Sequence, residues 1–235
     1  MTNQFDKDFL GVSTLKWLPW VGENYPILST SQKTLIIGES HYYEPDEGEQ
    51  SYNKHQDNTF TRKVIKDVAI GREYRTYPNG AAKIFPNFHR TIFANDTFDS
   101  SLLWENVGFY NFIQDPMNTK LGRPKEADYK RGWATFSEVL NILQPSTCLF
   151  LGNSCASFLP QNFTHDTTIK QALSDDGWLN RTASRKAMLQ LASGQEVKLK
   201  FIKHPSRFYS WKQWNGHLKE KHGDLLHWLT SSTLK

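Results

Sequence analysis

The chain contains few cysteines and no long apolar run. Only two of its 235 residues are cysteines, Cys148 and Cys155, which is too few for a disulfide framework or an iron–sulfur cluster. No run of about 18 apolar residues is present to cross a membrane, and the N-terminus lacks the basic and apolar segments of a secretion signal. These absences predict a reduced, soluble, cytoplasmic protein with no membrane partner.

The charge is mildly basic and unevenly distributed. The formal net charge is +4 at pH 7, which permits nucleic-acid binding without requiring it. Residues 197–222 contain seven lysines and arginines against one acid, whereas residues 39–49 contain five acids and no lysine or arginine. Eight tryptophans and nine tyrosines supply flat rings for a core, and the surplus suits a stacking surface.

The apolar pattern predicts an α/β fold in one domain, residues 1–235. Four short apolar runs with turn residues at their ends have the length of strands: 34–38, 107–113, 147–152 and 197–203. Most of these runs do not alternate, as expected for parallel strands that are covered on both faces. Helical periodicity marks four further segments, 58–70, 127–143, 184–192 and 211–229, and the polar segment 115–130 is predicted to be an exposed loop.

Polar residues follow each predicted strand, and one interpretation of them is a serine esterase. Ligands of such sheets bind at the carboxyl ends of the strands. The Gly-Glu-Ser sequence that ends at Ser40 resembles the first motif of the SGNH esterases, and Gly152-Asn153 could supply their oxyanion donors. Asp224 and His227 would complete the triad. Against this alternative, residues 223–229 have the pattern of an amphipathic helix, and the second glycine of a G-x-S-x-G elbow is missing.

Taken together, the four strand ends resemble the uracil-DNA glycosylase superfamily. The matching segments are 35–40, 109–112, 149–153 and 201–207. The last contains His-Pro-Ser directly after the strand, which is the most specific part of a resemblance that spans residues 33–211. The resemblance implies a three-layer α/β/α sandwich around a four-stranded parallel sheet. It also implies a monomeric, monofunctional DNA glycosylase that needs no metal or other cofactor, and no lysine stands out as the nucleophile of a lyase.

The resemblance implies a role for each motif. Glu39 or Ser40 would position the hydrolytic water, and His204 would stabilise negative charge on the departing base. The base pocket would be formed by Gly38, His41, Tyr42, Phe60 and Asn111. The loop after the last strand would contact DNA and fill the space left by the flipped nucleotide through Lys203, Ser206, Arg207, Phe208 and Tyr209. The alternatives are structural: a strand-end histidine bonded to backbone, a turn asparagine at Asn111 and a core ring at Phe60.

The sequence departs from the family at its first motif. The uracil enzymes carry an aspartate or asparagine where this chain has Ser40, which is not a general base near neutral pH. Glu39 or His41 could polarise the water instead, and Glu39 is favoured because a carboxylate also stabilises an oxocarbenium ion. The pocket position after the first motif is crowded by His41, Tyr42 and Tyr43. The acidic segment 44–50 that follows could accept hydrogen bonds from hydroxyl groups on an enlarged base. The expected substrate is therefore a uracil-like pyrimidine or a hypermodified cytosine such as a glucosylated phage base.

Two further expectations concern metals and catalysis. His89, His165 and His217 have no partner at metal-ligand spacing in the sequence, so no metal site is predicted. Because the family's acidic residue is missing from the first motif, a non-catalytic nucleic-acid-binding module remains as a third alternative.

Overall fold

The structure is a computed structural model that describes residues 1–43, 48–71, 83–95, 99–117, 122–160, 163, 167–206 and 208–231. The strands in these ranges are β1 (Trp20–Val21), β2 (Thr34–Gly38), β3 (Val107–Asn111), β4 (Thr147–Leu151), β5 (Thr168–Leu179), β6 (Thr182–Gln190) and β7 (Glu196–Ile202). The helices are α1 (Asp6–Leu10), α2 (Gly48–Gln56), α3 (Phe60–Lys63), α4 (Ile84–Phe93), α5 (Ser101–Asn106), α6 (Glu126–Leu143), α7 (Trp211–Lys221) and α8 (Gly223–Ser231).

The strands of the described ranges form one mixed sheet of seven strands in the order β1-β3-β2-β4-β7-β6-β5. The four central strands β3, β2, β4 and β7 are parallel neighbours, whereas β1, β6 and β5 are antiparallel additions at the edges. The prediction of a sheet with only four parallel strands is therefore wrong. The added strands were missed because β1 has two residues, and because β5 is exposed or half-buried along nearly all of its length and carries no apolar run.

Residues 184–192, predicted to be a helix, belong instead mainly to strand β6. Ala187 and Leu189 are buried while the residues between and around them are half-buried, which is the two-residue alternation of a strand. A tight turn joins β5 to β6, since Asn180 and Arg181 both have positive φ values, 44° and 65°, as in a two-residue hairpin loop. Neither residue is glycine, so the usual sequence signal for this turn is absent.

The predicted helices are confirmed elsewhere, with changed boundaries. Helix α6 matches the prediction for 127–143, so the end of the predicted loop 115–130 is already helical, and residues 118–121 lie outside the described ranges. The predicted helix 211–229 is two helices, α7 and α8, which are separated at His222. The predicted helix 58–70 begins with α3 and continues as a π-helical segment, Val64–Ile70.

Helices cover both faces of the sheet. Leu35 and Ile37 of β2 belong to a core cluster that includes the apolar face of α6. Ile36 belongs to a second cluster with side chains of α4, α7 and α8. All three β2 residues are at most 1% exposed, so this central strand is fixed from both sides and holds the residues that follow it. No helix in the described ranges is long and apolar enough to cross a membrane.

Candidate functional site

The carboxyl ends of the four parallel strands meet at one edge of the sheet. Gly38 at the end of β2 pairs in register with Asn111 at the end of β3. The backbone N–H of Gly152, directly after β4, donates to the carbonyl of Ile202 at the end of β7 (3.0 Å). The segment 35–40 therefore lies beside 109–112, and 149–153 beside 201–207, as the order of the strands requires.

Gly38 allows the side chain of Asn111 to lie directly against the backbone of β2. A Cβ atom at position 38 would be 2.1 Å from Oδ1 of Asn111, far inside van der Waals contact. Asn111 is buried, and its carboxamide makes no hydrogen bond to another described residue. The amide thus keeps both its donor and its acceptor available to a ligand.

The segment that follows β2 is extended rather than a sharp turn. The N–H groups of Phe112 and Ile113 donate to the carbonyls of Gly38 and Glu39 (both 2.9 Å), and that of Met117 donates to the carbonyl of His41 (2.8 Å). This ladder prolongs the pairing of β2 with the chain after β3. It differs from the tight strand-to-helix elbow that presents a nucleophilic serine.

Glu39 is half-buried beside a small cavity at this edge. The cavity has a volume of about 10 Å³ and is lined in part by Glu39, Tyr129, Gly152 and Ser154, which gives room for about one water molecule. Burial raises the pKa of Glu39, and the positive charge of Arg123 opposes that shift. Burial and the Glu39 carboxylate together raise the pKa of Tyr129 to about 12, so the phenol beside the carboxylate stays protonated.

His204 is half-buried at the end of β7 and is neutral near physiological pH. Burial, and then the charge of Arg123, lower its pKa to about 4. Arg123 therefore acts electrostatically on both His204 and Glu39. Sequence reasoning missed Arg123 and Tyr129, because both lie in the segment 115–130 that was predicted to be an exposed loop. The one available signal was that Arg123 is a basic residue within a polar stretch.

Ser40 lies between Glu39 and His41, but it is not activated as a nucleophile. Its hydroxyl oxygen is buried and has no hydrogen-bond partner among the described residues. Burial raises the pKa of the Tyr42 phenol, and its contact with the Ser40 side chain opposes that shift. Because no histidine accepts the Ser40 proton in the described part of the chain, the serine lacks the base that an esterase requires.

His41 packs into an aromatic cluster beside the first motif. Its ring centroid is 4.8 Å from that of Trp17 and 4.6 Å from that of Phe60, and its Nε2 is 3.0 Å from the hydroxyl of Thr61. Burial, together with the nearby His55, lowers the pKa of His41 to about 3. Such a weakly basic ring is a poor proton acceptor, so Glu39 is the better of the two candidates for activating water.

The loop after β7 presents one fully exposed aromatic ring. Phe208 is 93% exposed at a positive φ of 56°, which is unusual for a bulky residue. The ammonium of Lys203 donates to the Phe208 carbonyl (2.7 Å). Tyr209, by contrast, turns inward and stacks on Trp214 with an interplanar angle of 8°. Ser206 is half-buried in the same loop, and the predicted DNA contact Arg207 lies outside the described residues.

The alternative esterase residues are not brought together. Asp224 and His227 are exposed on α8, whereas the Ser40 hydroxyl is buried at the carboxyl edge. The side-chain amide of Asn153, the expected oxyanion donor, donates instead to the carbonyl of Ala183 (2.9 Å) and so holds β6 in place.

No metal-ligand group occurs at the carboxyl edge within the described residues. Of the three histidines considered from the sequence, His89 accepts a hydrogen bond from the indole N–H of Trp104 (3.0 Å), and His165 lies outside the described ranges. His217 belongs to a separate cluster, discussed below.

No protein-family model matches the chain, and no curated protein matches it significantly.

Proposed function

We propose that the protein is a monofunctional DNA glycosylase that hydrolyses the N-glycosidic bond of a damaged or modified pyrimidine and leaves an abasic site. The observation that carries the proposal is that the carboxylate of Glu39 and the neutral imidazole of His204 lie at one sheet edge, both within the field of Arg123. A parallel core of four strands with helices on both faces supports a uracil-DNA glycosylase-like arrangement, to which β1, β5 and β6 are additions.

In the proposed reaction Glu39 holds and deprotonates the attacking water. The water oxygen forms a bond to C1′ of the nucleotide, and the bond between C1′ and the base nitrogen breaks with its electron pair on the base. The water proton passes to the Glu39 carboxylate. A neutral His204 donates a hydrogen bond to the base oxygen on which negative charge collects, and the nearby Arg123 charge stabilises the same anion. The base anion then takes up a proton from solvent and Glu39 returns its proton to solvent, so the products are the free base and an abasic sugar.

Recognition of the base is assigned to the other strand ends. Asn111 would read the base edge through its amide donor and acceptor, while Tyr42 and the half-buried ring of Phe60 offer flat surfaces beside it. The cavity of about 10 Å³ next to Glu39 admits a water molecule but is too small for a pyrimidine. The base is therefore expected to bind on the open side of this cavity.

DNA contact is assigned to the loop after β7. Extracting a nucleotide from a duplex costs a few kcal/mol, and an apolar side chain inserted into the stack offsets part of that cost. Phe208 is an exposed ring on a loop held by Lys203, so it is the proposed wedge. Lys203 and Ser206, with Arg207 in the same loop, would contact phosphate.

The test is a substrate panel with matched histidine variants. Single- and double-stranded oligonucleotides that contain uracil or other altered bases, and phage DNA with glucosylated cytosine, are incubated with the protein. Released bases are identified by mass spectrometry, and abasic sites by strand scission in hot alkali. We expect release of at least one altered pyrimidine, lost in His204→Ala and retained in His227→Ala.

Two other outcomes would overturn the proposal. Hydrolysis of p-nitrophenyl acetate that is lost in both Ser40→Ala and His227→Ala, without base release, would identify the esterase. Salt-sensitive DNA binding without release of any base would identify a non-catalytic nucleic-acid-binding module.

A further inference from the structure

A second cluster of polar side chains lies where the edge strand β5 meets the junction of α7 and α8. Asp176 comes from β5, His217 from α7, and His222 separates α7 from α8. Their side chains are only 3%, 6% and 6% exposed. Asp176 is the only buried residue of β5, a strand that is described throughout. A carboxylate buried in an otherwise exposed strand requires a compensating partner.

Three potential ligand atoms of this cluster face one another. One potential ligand atom from each residue lies within 4.8 Å of the other two; Oδ2 of Asp176 is 4.0 Å from Nε2 of His217 and 2.5 Å from Nε2 of His222. None of the three has a hydrogen-bond partner within the described ranges. Nε2 of His222 is close enough to Oδ2 of Asp176, at 2.5 Å, to form an ion pair when that histidine is protonated. Two imidazoles and a carboxylate thus surround one buried position.

The surrounding residues hold these side chains in place. The Lys186 ammonium is 2.8 Å from Oδ1 of Asp176, and that of Lys200 is 2.5 Å from Nδ1 of His222. Lys186 therefore contacts the Asp176 oxygen that the three-atom group does not use, whereas Lys200 must leave Nδ1 of His222, or lose a proton, before Nε2 of that ring can bind an ion. A Cβ at Gly177 would be 3.1 Å from the ring of His217, so the glycine lets that ring approach the strand closely.

We propose that Asp176, His217 and His222 bind one divalent transition-metal ion of the zinc class, with water completing the coordination. Two imidazoles and a carboxylate are preferred zinc donors, and tetrahedral bonds of about 2.0–2.2 Å place ligand atoms roughly 3.3 Å apart. The contact of Asp176 with His222, at 2.5 Å, is shorter than that value and its contact with His217, at 4.0 Å, is longer, so each imidazole must shift by about 0.7–0.8 Å to bind an ion. The charges of the two lysines oppose a cation, so we expect a lower affinity than for the same donors without them.

The ion would tie the β5–β6 hairpin to the two C-terminal helices. No residue of the cluster belongs to the carboxyl-edge site, so this proposal stands independently of the glycosylase proposal. Its expected role is structural, because binding to the folded chain alone stabilises that chain.

The test measures metal binding directly, on the untagged full chain. Metal content is determined by mass spectrometry after purification without chelators. The chelator-treated protein is then titrated with zinc and with cobalt, and thermal unfolding is recorded with and without zinc. We expect one zinc per chain, visible absorption bands for bound cobalt and a higher Tm with zinc. Loss of a residue that only hydrogen-bonds to a metal ligand costs roughly 10- to 100-fold in metal affinity. His217→Ala and His222→Ala remove a ligand itself and should lose more than this. His227→Ala removes an exposed histidine outside the cluster and should bind zinc normally.

Two results would overturn the site. One is a wild-type chain that takes up no zinc and shows no cobalt bands, which would leave the cluster as an ion-paired network with Lys186 and Lys200. The other is zinc binding of equal strength in His217→Ala and His227→Ala. If the ligand variants fail to fold, as judged by circular dichroism, the cobalt spectrum of the wild type decides.

Discussion

Replacement of Gly38 by alanine tests whether base release requires the Asn111 side chain in its position against β2. The new Cβ would be 2.1 Å from Oδ1 of Asn111, while ordinary contact begins at 3.4 Å. The carboxamide must therefore move by roughly 1.3 Å, and a misplacement of about 1 Å can cost about 100-fold in rate. We expect kcat/KM for base release to fall about 100-fold, equivalent to about 2.7 kcal/mol of transition-state stabilisation.

The measurement is a double-mutant cycle on single-turnover base release. In an Asn111→Ala background the Cβ at position 38 meets only Phe109 closely, at 3.0 Å, a contact that a small shift relieves. Gly38→Ala should then change the rate less than about 3-fold, because the two changes act through one side chain. Thermal unfolding serves as the control, since overpacking costs typically about 1–3 kcal/mol. Independent, multiplicative effects of the two substitutions would refute the assigned role of Asn111.

Three further predictions concern the rest of the carboxyl edge. Glu39→Gln should slow base release by about 10²- to 10⁴-fold. It should also stabilise the chain above pH 4.5, the ordinary glutamate pKa. The pKa of Glu39 is raised in the folded state, so the wild type loses stability as this carboxyl ionises. A Tm difference between Glu39→Gln and the wild type that is the same below and above pH 4.5 would contradict the stability prediction. Phe208→Ala should impair release from duplex but not from single-stranded DNA, which a parallel assay of both substrates checks. Arg123→Gln should lower the rate and raise the pKa of His204, measured by NMR titration; an unchanged pKa would disprove the electrostatic contact.

The parallel core could be predicted from the sequence because its strands are covered on both faces. Residues such as Leu35 and Ile36 in β2 are apolar whichever face they occupy, so the run is continuous and easy to detect. Strand β6 could not be predicted in this way, because the buried Ala187 and Leu189 flank the apolar Met188, and three consecutive apolar residues also fit a helical pattern. Its partner β5 has even less apolar signal, since Asp176 is its only buried residue within the described chain.

The residues of the two sites also differ in whether a local sequence pattern marks them. Glu39 and His204 were found because each directly follows a predicted strand, and Asn111 because it lies near the end of another; parallel strands bring their carboxyl ends together. Arg123 reaches the site from the segment before α6, and no local pattern connects it with residues on β2 or β7. The cluster around His217 was missed for a related reason: its carboxylate partner comes from an unrecognised strand, far from the histidines along the chain.

In the proposed function Glu39 and His204 catalyse hydrolysis and do not serve mainly to bind DNA. The most direct measurement is the single-turnover rate of base release for Glu39→Gln and His204→Ala, with the Kd for the same DNA determined at one salt concentration. Both variants should lose about 100-fold or more in rate and bind DNA nearly as tightly as the wild type. Variants that release the base at the wild-type rate, or that lose rate only in proportion to lost affinity, would contradict the proposed function.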